Sequence, residues 1–358
     1  MLSSSKVRRF IPSRYDKESS SVSRTSHSGV DSNLSSPGNE EASRSNISDL
    51  SVEEMELWHH YLMVMCPEIS DDPASLRFWQ INIPRTGFTN HFVLHLTLAL
   101  SAFHLSRRSP ERRYACLAQA EKHETIALQA ITPILPCLNS MNCEALYAAS
   151  TLICFCYLAK GPQPGEFIAF SETGNAQWLI LLGGTRSILS SKRAELQSAV
   201  FEPMAQESAL HEPVKSKRDL VPAYRKPLEE LRLYIEGKSS TDEMGARICL
   251  RMLDTLASSF RNIYDPISES GLDDRRHSPE VFGWLYRLPD EFCQLLKDKH
   301  QAALVILAHF VVILKELDHF WFMKGWAEHV MAGIHSYIGK ENEDLIKWPM
   351  QQIREIRR

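Results

Sequence analysis

Cysteine is sparse. There are 8 in 358 residues, with no C-x-x-C and no Cys/His cluster at zinc-holding spacing. Cys154 and Cys156 form a C-x-C inside an apolar stretch, and all eight read as small hydrophobes packed inside. No run reaches the roughly 20 apolar residues of a membrane span. The longest, Ala302 to Leu314, is too short, and His309 interrupts it. The N-terminus has no apolar segment of secretory type, so an intracellular location with reduced thiols is expected. Alternating runs with Asn-Gly or Asp-Gly turns are missing, which argues against β folds. G-x-x-x-x-G-K-[ST], G-x-G-x-x-G after a strand, G-x-S-x-G and H-E-x-x-H are absent too. The net charge of −4 lacks the basic excess of a nucleic-acid binder.

What is present is helical patterning. Residues 1–49 are crowded with Ser and poor in aliphatics, so they are expected to be a disordered tail. Lys6, Arg8 and Arg9 in that tail form a candidate nuclear-import patch. Order is expected over residues 50–358. Ser51-Val-Glu-Glu54 is a capping box opening a helix with Leu57, Trp58, Tyr61, Leu62 and Met65 on one stripe, stopped by Pro67. Residues 71–87 read as an irregular connector. Helices are then expected over 88–106, from Ser109-Pro110-Glu111 to about 131, over 142–159, and over 172–189. Gly183-Gly184 in the last of these predicts close backbone packing or a kink. Residues 190–227 read as a poorly ordered loop. Further helices are expected at 228–234, 242–260, from Ser278, at 301–317 and at 320–337. The fold class is all-α: a single large domain of about ten helices.

No catalytic constellation emerges, so no enzyme is expected. His91 and His95 sit one turn apart, but no Glu follows the first. Both lie among Leu, Phe and Val, so they read as core histidines, as do His59, His60 and His123. Asp71-Asp72 and Asp273-Asp274 do not extend to the D-D-x-x-D that holds magnesium and a diphosphate. The last third is rich in aromatics: Trp284, Phe310, Phe320, Trp321, Phe322, Trp326 and Trp348. They form ordinary core or line an apolar ligand pocket, and composition alone favours core.

Three blocks in order carry a resemblance. They are ELWHHY with TNHFVLHLTLALSAFHLS; RRYACLAQAEKHETIALQAITPIL with NCEALYAASTLICF; and FGWLYRLPDEFCQLL, QAALVILAHFVVIL, HFWFMKGWAEHVMAGI and KWP. From Glu56 to Pro349 the chain resembles the regulatory domain of fungal zinc-cluster transcription factors, of the sterol-uptake-control type. The resemblance implies a nuclear transcription regulator, shared with the cytoplasm, whose helical domain senses a sterol-like ligand. It implies a cavity formed or bordered by Leu304, Leu307, His309, Phe310, Trp321, Met323 and Trp326, with His309 or His319 holding a sterol hydroxyl. In that family a six-cysteine zinc cluster reads DNA. Residues 1–49 hold no cysteine, and no six-cysteine spacing occurs elsewhere. No cofactor and no direct DNA binding are therefore expected of these residues. The tail's 7 basic and 6 acidic residues leave a body of net charge −5, which attracts phosphate little. The alternative is a helical scaffold that forms a homo- or heterodimer with a zinc-cluster regulator.

Overall fold

The computed structural model describes residues 51–70, 73–191, 223–238, 240, 242–265 and 277–355. The tail with Lys6, Arg8 and Arg9, most of the expected 190–227 loop, and both Asp pairs lie outside them. Thirteen helices and no strand occur among the described residues, so the fold is all-α with slightly more helices than expected.

The capping box forms at Ser51: its hydroxyl accepts from the Glu54 amide, and the Glu54 carboxylate accepts from the Ser51 amide. Helix α1 (Val52–His60) does not stop at Pro67. It continues through a π-helical turn (Tyr61–Met65) into Cys66–Ile69. The Cys66 amide closes that turn on the Tyr61 carbonyl, so Pro67 falls at the start of a fresh register where its missing amide is harmless. The expected connector is helical as well. Helix α2 runs Pro73–Arg77, a second π turn Phe78–Asn82, then Ile83–Thr89. Burial of Phe78, Trp79 and Ile83 outweighs weak local propensity, and the Tyr61 hydroxyl donates to the Trp79 carbonyl at 2.7 Å.

Helix α3 (His91–Arg108) is buried over most of its circumference and packs on α1, α4 (Arg113–Ile131) and α5 (Cys143–Lys160). Before α4, Pro110–Arg112 forms a single 3-10 turn, and the Ser109 side chain makes no cap. Helix α6 (Gln177–Ser191) packs on α5. It begins five residues later than the pattern predicts, because residues 165–172 form a hairpin instead. Gly183 and Gly184 have no close neighbour: a Cβ at either would meet nothing within 4 Å. The expected close packing is therefore not there.

The second group of helices is α7 (Arg225–Lys238), α8 (Glu243–Tyr264), α9 (His277–Tyr286), α10 (Asp290–Lys297), α11 (Gln301–Lys315), α12 (Trp326–Tyr337) and α13 (Glu343–Glu355). Helix α11 lies at their centre and touches each of the other six. Helix α12 starts later than expected, since Gly325 adopts φ 85° and turns the chain just before it. The two groups meet where the Trp326 indole donates to the Leu158 carbonyl at 3.1 Å, and where Arg186 donates to the carbonyls of Tyr286 and Leu288.

One helix among the described residues, α5, is long and apolar enough by composition to cross a membrane, which the sequence reading did not single out. It is 78% buried inside the protein, as a core helix is. Six cysteines are buried as expected, but Cys137 is exposed and Cys293 is only partly covered.

Because Gly184 is exposed, helical and uncrowded, Gly184→Ala should stabilise the fold by about 0.5–1 kcal/mol. Urea unfolding of both proteins checks this. A lower midpoint for the variant would mean that the glycine pair serves a contact or a bend after all.

Candidate functional site

Fourteen residues of α11, Ala302 to Lys315, are buried without a break. Leu304 and Leu307 lie inside that run. Phe310 stacks on Trp284 of α9, with centroids 4.3 Å apart and planes at 18°. His309 faces another way, stacked on Trp348 of α13 at 5.6 Å. Its Nδ1–H donates to the Val305 carbonyl at 2.9 Å, which leaves Nε2 as the acceptor. Burial holds the imidazole at about 4, well below its ordinary range. His309 is thus a neutral interior group. His319 is exposed at the end of the following turn and donates to the Glu316 carbonyl.

The aromatic segment 320–326 spreads over several partners. Trp321 lies against His104 at 4.7 Å, with the Arg107 guanidinium 5.8 Å from its ring. Phe322 meets Phe155 of α5 edge-on at 5.1 Å. Met323 is buried in the turn. Trp326 stacks on Tyr157 at 5.8 Å. The structure therefore places Leu304, Leu307, His309 and Phe310 in the centre of the second helical group. Trp321 and Trp326 sit on its border with α3 and α5.

Histidines face each other in two places. His60 and His104 share a hydrogen bond at 3.0 Å, and His104 Nε2 reaches Glu68 at 3.1 Å. His95 and His123 meet at 2.9 Å, with Glu54 3.8 Å from His123. His60, His95 and His123 are partnered as expected, but His59 and His91 are exposed. Burial first, and the facing imidazole second, lower both His104 and His123, the latter to about 4. Among the described residues no group of three His, Cys, Asp or Glu is placed to hold a metal ion.

A hairpin with almost no local sequence signature lies between α5 and α6. Gly165 (φ 78°) opens it, the Glu172 amide closes it on the Gly165 carbonyl at 2.9 Å, and the Phe167 amide bonds the Phe170 carbonyl at 2.9 Å. At its tip the Ala169 amide bonds the Phe167 carbonyl at 2.6 Å, around Ile168 at φ 61°. That is a γ-turn with a β-branched residue on the positive-φ side, strained by about 1–3 kcal/mol. The other described non-glycine residue at positive φ is Lys299, at 58°. Its ammonium donates to the Ser171 carbonyl and lies 5.0 Å from Phe170 and 5.2 Å from Tyr337.

The hairpin tip is buried from Phe167 to Phe170. Its rings complete a ladder that runs Tyr157, Trp326, His329, Phe167, Phe170, Tyr337, with successive centroids 5.8, 6.1, 5.0, 4.7 and 6.1 Å apart. His329 also hydrogen-bonds the Glu166 carbonyl at 3.0 Å. Gly333 forms the seat, since a Cβ there would overlap the Phe167 ring. The Tyr157 hydroxyl and the Trp178 indole N–H are buried with no hydrogen-bond partner among the described residues. Burial, then the Glu166 carboxylate, pushes the Tyr157 phenol up. The one hint in the sequence was an apolar Phe-Ile-Ala-Phe bounded by glycine, proline and charge.

The profile described as "Fungal specific transcription factor domain" matches residues 56–288. A Zn(2)-C6 fungal-type transcription factor of Gibberella zeae is 21% identical over 331 residues, covering 83% of this chain and 61% of that protein. Sterol uptake control protein 2 of Candida albicans is 27% identical over 147 residues, 40% of this chain and 20% of its own length. Sterol uptake control protein 2 of Saccharomyces cerevisiae is 26% identical over 177 residues, 44% and 19% respectively. The chain thus spans less than two thirds of each of these relatives.

The buried imidazoles give a signed expectation. His104, His123 and His309 are held neutral in the fold, while the unfolded chain takes up protons below its ordinary value of about 6.5. Stability is fully present above that value and falls as pH drops toward about 4, by up to about 1.4 kcal/mol per pH unit for each group. Urea midpoints at pH 7 and pH 5 read this before most carboxylates titrate. His123→Gln should flatten the dependence, and equal midpoints at both pH values in the parent protein would contradict it.

Proposed function

We propose that this chain, which belongs to the fungal-specific transcription factor domain family, is the helical regulatory domain of a transcription regulator that senses an apolar, sterol-like ligand. It acts in the nucleus, shared with the cytoplasm, on genes read by RNA polymerase II. Genes of sterol or secondary metabolism are the intended targets. The family match carries the regulator part of this reading; it covers the first helical group and α7 to α9 of the second, and ends before the candidate ligand residues. Two relatives bear the name sterol uptake control protein. The aromatic and aliphatic interior on both sides of α12 supports an apolar ligand, whose affinity would come mainly from buried area at about 25 cal/mol per Å². Leu304, Leu307, Phe310, Trp321, Met323 and Trp326 are proposed to form or border its cavity. His309 is the candidate among them for an acceptor, through Nε2. The chain is not proposed to be an enzyme or to hold a cofactor.

A second reading concerns these 358 residues alone, among which no six-cysteine spacing occurs. On that reading the helical body pairs with a second copy or with a zinc-cluster regulator and works through its partner's contact with DNA.

The test is a fusion of the chain to a foreign DNA-binding domain, with reporter output read in sterol-replete and sterol-depleted yeast. It is joined to a titration of the purified protein with dehydroergosterol, read by energy transfer from tryptophan. Reporter output should change several-fold on depletion, and the probe should bind in the micromolar range. A silent reporter with no probe binding overturns the sensing reading. A stable complex with a zinc-cluster protein, free of lipid, establishes the second.

A further inference from the structure

Building on the ligand-sensing reading above, we infer that residues 165–172 are a removable plug over a slot between α5 and α12. The slot takes a flat apolar alcohol, whose oxygen bonds the Tyr157 hydroxyl beside Trp326 rather than His309, which faces Trp348 on α13.

The hairpin is an unusual occupant for a protein interior. Its tip is a strained γ-turn at Ile168, yet Phe167, Ile168, Ala169 and Phe170 are all buried. Strain of this kind persists where surrounding contacts hold it, and it gathers at clamps and switches. What holds it here is mostly ring contact. Phe167 lies 5.0 Å from His329 with planes at 26°, and 4.7 Å from Phe170 with planes at 25°. A flat ring system could replace those two phenyl rings face for face, on a seat that Gly333 keeps clear of a Cβ. The polar fastenings are few: His329 to the Glu166 carbonyl, Lys299 to the Ser171 carbonyl, and the Gln177 amide to Glu166 at 3.2 Å.

The second, independent sign is Tyr157. Its side chain is at the far end of the ring ladder, stacked on Trp326, and the residue is 6% exposed. Its hydroxyl has no hydrogen-bond partner among the described residues. Buried hydroxyls are ordinarily partnered, and an orphan one carries a desolvation penalty that a ligand oxygen would relieve. The lining that stays behind selects the ligand class. The rings of Tyr157, Trp326 and Tyr337 are apolar, so a neutral hydroxyl enters at less desolvation cost than a charged head group would. Occupation of the slot would expel the hairpin and free the chain between α5 and α6, which turns ligand binding into a change at the surface.

Hydrogen exchange on the unaltered protein is the direct test. Adding dehydroergosterol should speed exchange of the amides in 165–172. Unchanged or slower exchange there, with the probe bound, overturns the plug while leaving the sensing reading intact. Two variants extend the test. Phe167→Ala removes the competitor and should tighten probe binding about tenfold, as expected when the competent state is no longer the minor one. Tyr157→Phe should weaken binding of dehydroergosterol several-fold and leave its 3-deoxy analogue unaffected. Equal affinity of Phe167→Ala and the parent overturns the plug, and an unaffected alcohol in Tyr157→Phe overturns the assigned hydroxyl partner. If no protein binds the probe, the sensing reading falls and this inference falls with it.

Discussion

Helix α11 cannot be wetted on any side. From Ala302 to Lys315 every residue is buried, so every face must be covered by another helix. At about 1.5–3 kcal/mol for each large aliphatic or aromatic side chain, this helix is the largest single store of hydrophobic free energy in its half of the chain. Its coverings follow from that need. Trp284 seals Phe310, Trp348 seals His309, and α8 and α12 close the remaining sides. Even the closing Lys315 is buried, and it is tolerated because Asp318 and Glu328 hold its ammonium at 2.8 and 2.7 Å.

The other half of the body solves a different problem. There the helices meet through polar groups placed in otherwise apolar seams. The His60–His104 and His95–His123 pairs both tie α1 or α4 to α3, and each has a carboxylate of α1 beside it. Neutral imidazoles suit this use, since one ring donates while its neighbour accepts and no charge is buried. The Ser101 hydroxyl, donating to the Leu57 carbonyl at 2.6 Å, fastens the same seam.

Between the halves the packing is aromatic rather than aliphatic. Trp321, Phe322 and Trp326 reach across to α3 and α5, and the 165–172 hairpin inserts two more rings beside them. Flat faces can slide or be replaced with little loss of contact, whereas interlocked aliphatic chains cannot. A boundary of this kind is where a regulatory domain of this family would be expected to yield. The strained tip of the hairpin lies on that boundary.

Much of this was legible in the chain. The all-α class followed from helical periodicity and missing β alternation. The capping box at Ser51, the buried stripe of α1 and the apolar α11 were each written locally, in residues within a turn or two of one another. The order of three sequence blocks also pointed to the family. What the chain could not show alone were features decided at a distance. Pro67 looked like a stop, but a π turn held by packing on α3 carries the helix past it. Residues 71–87 looked irregular, but burial of Phe78, Trp79 and Ile83 makes 73–87 helical. The glycine pair in α6 looked like a close contact, yet no neighbour approaches. The hairpin has no local signature beyond an apolar tetrad, because its shape depends on Gly333, His329 and Lys299, more than a hundred residues away. Local propensity and periodicity determine which segments are helices. Which side chains meet, and which hydroxyl is left without a partner, is set only when distant helices close around them.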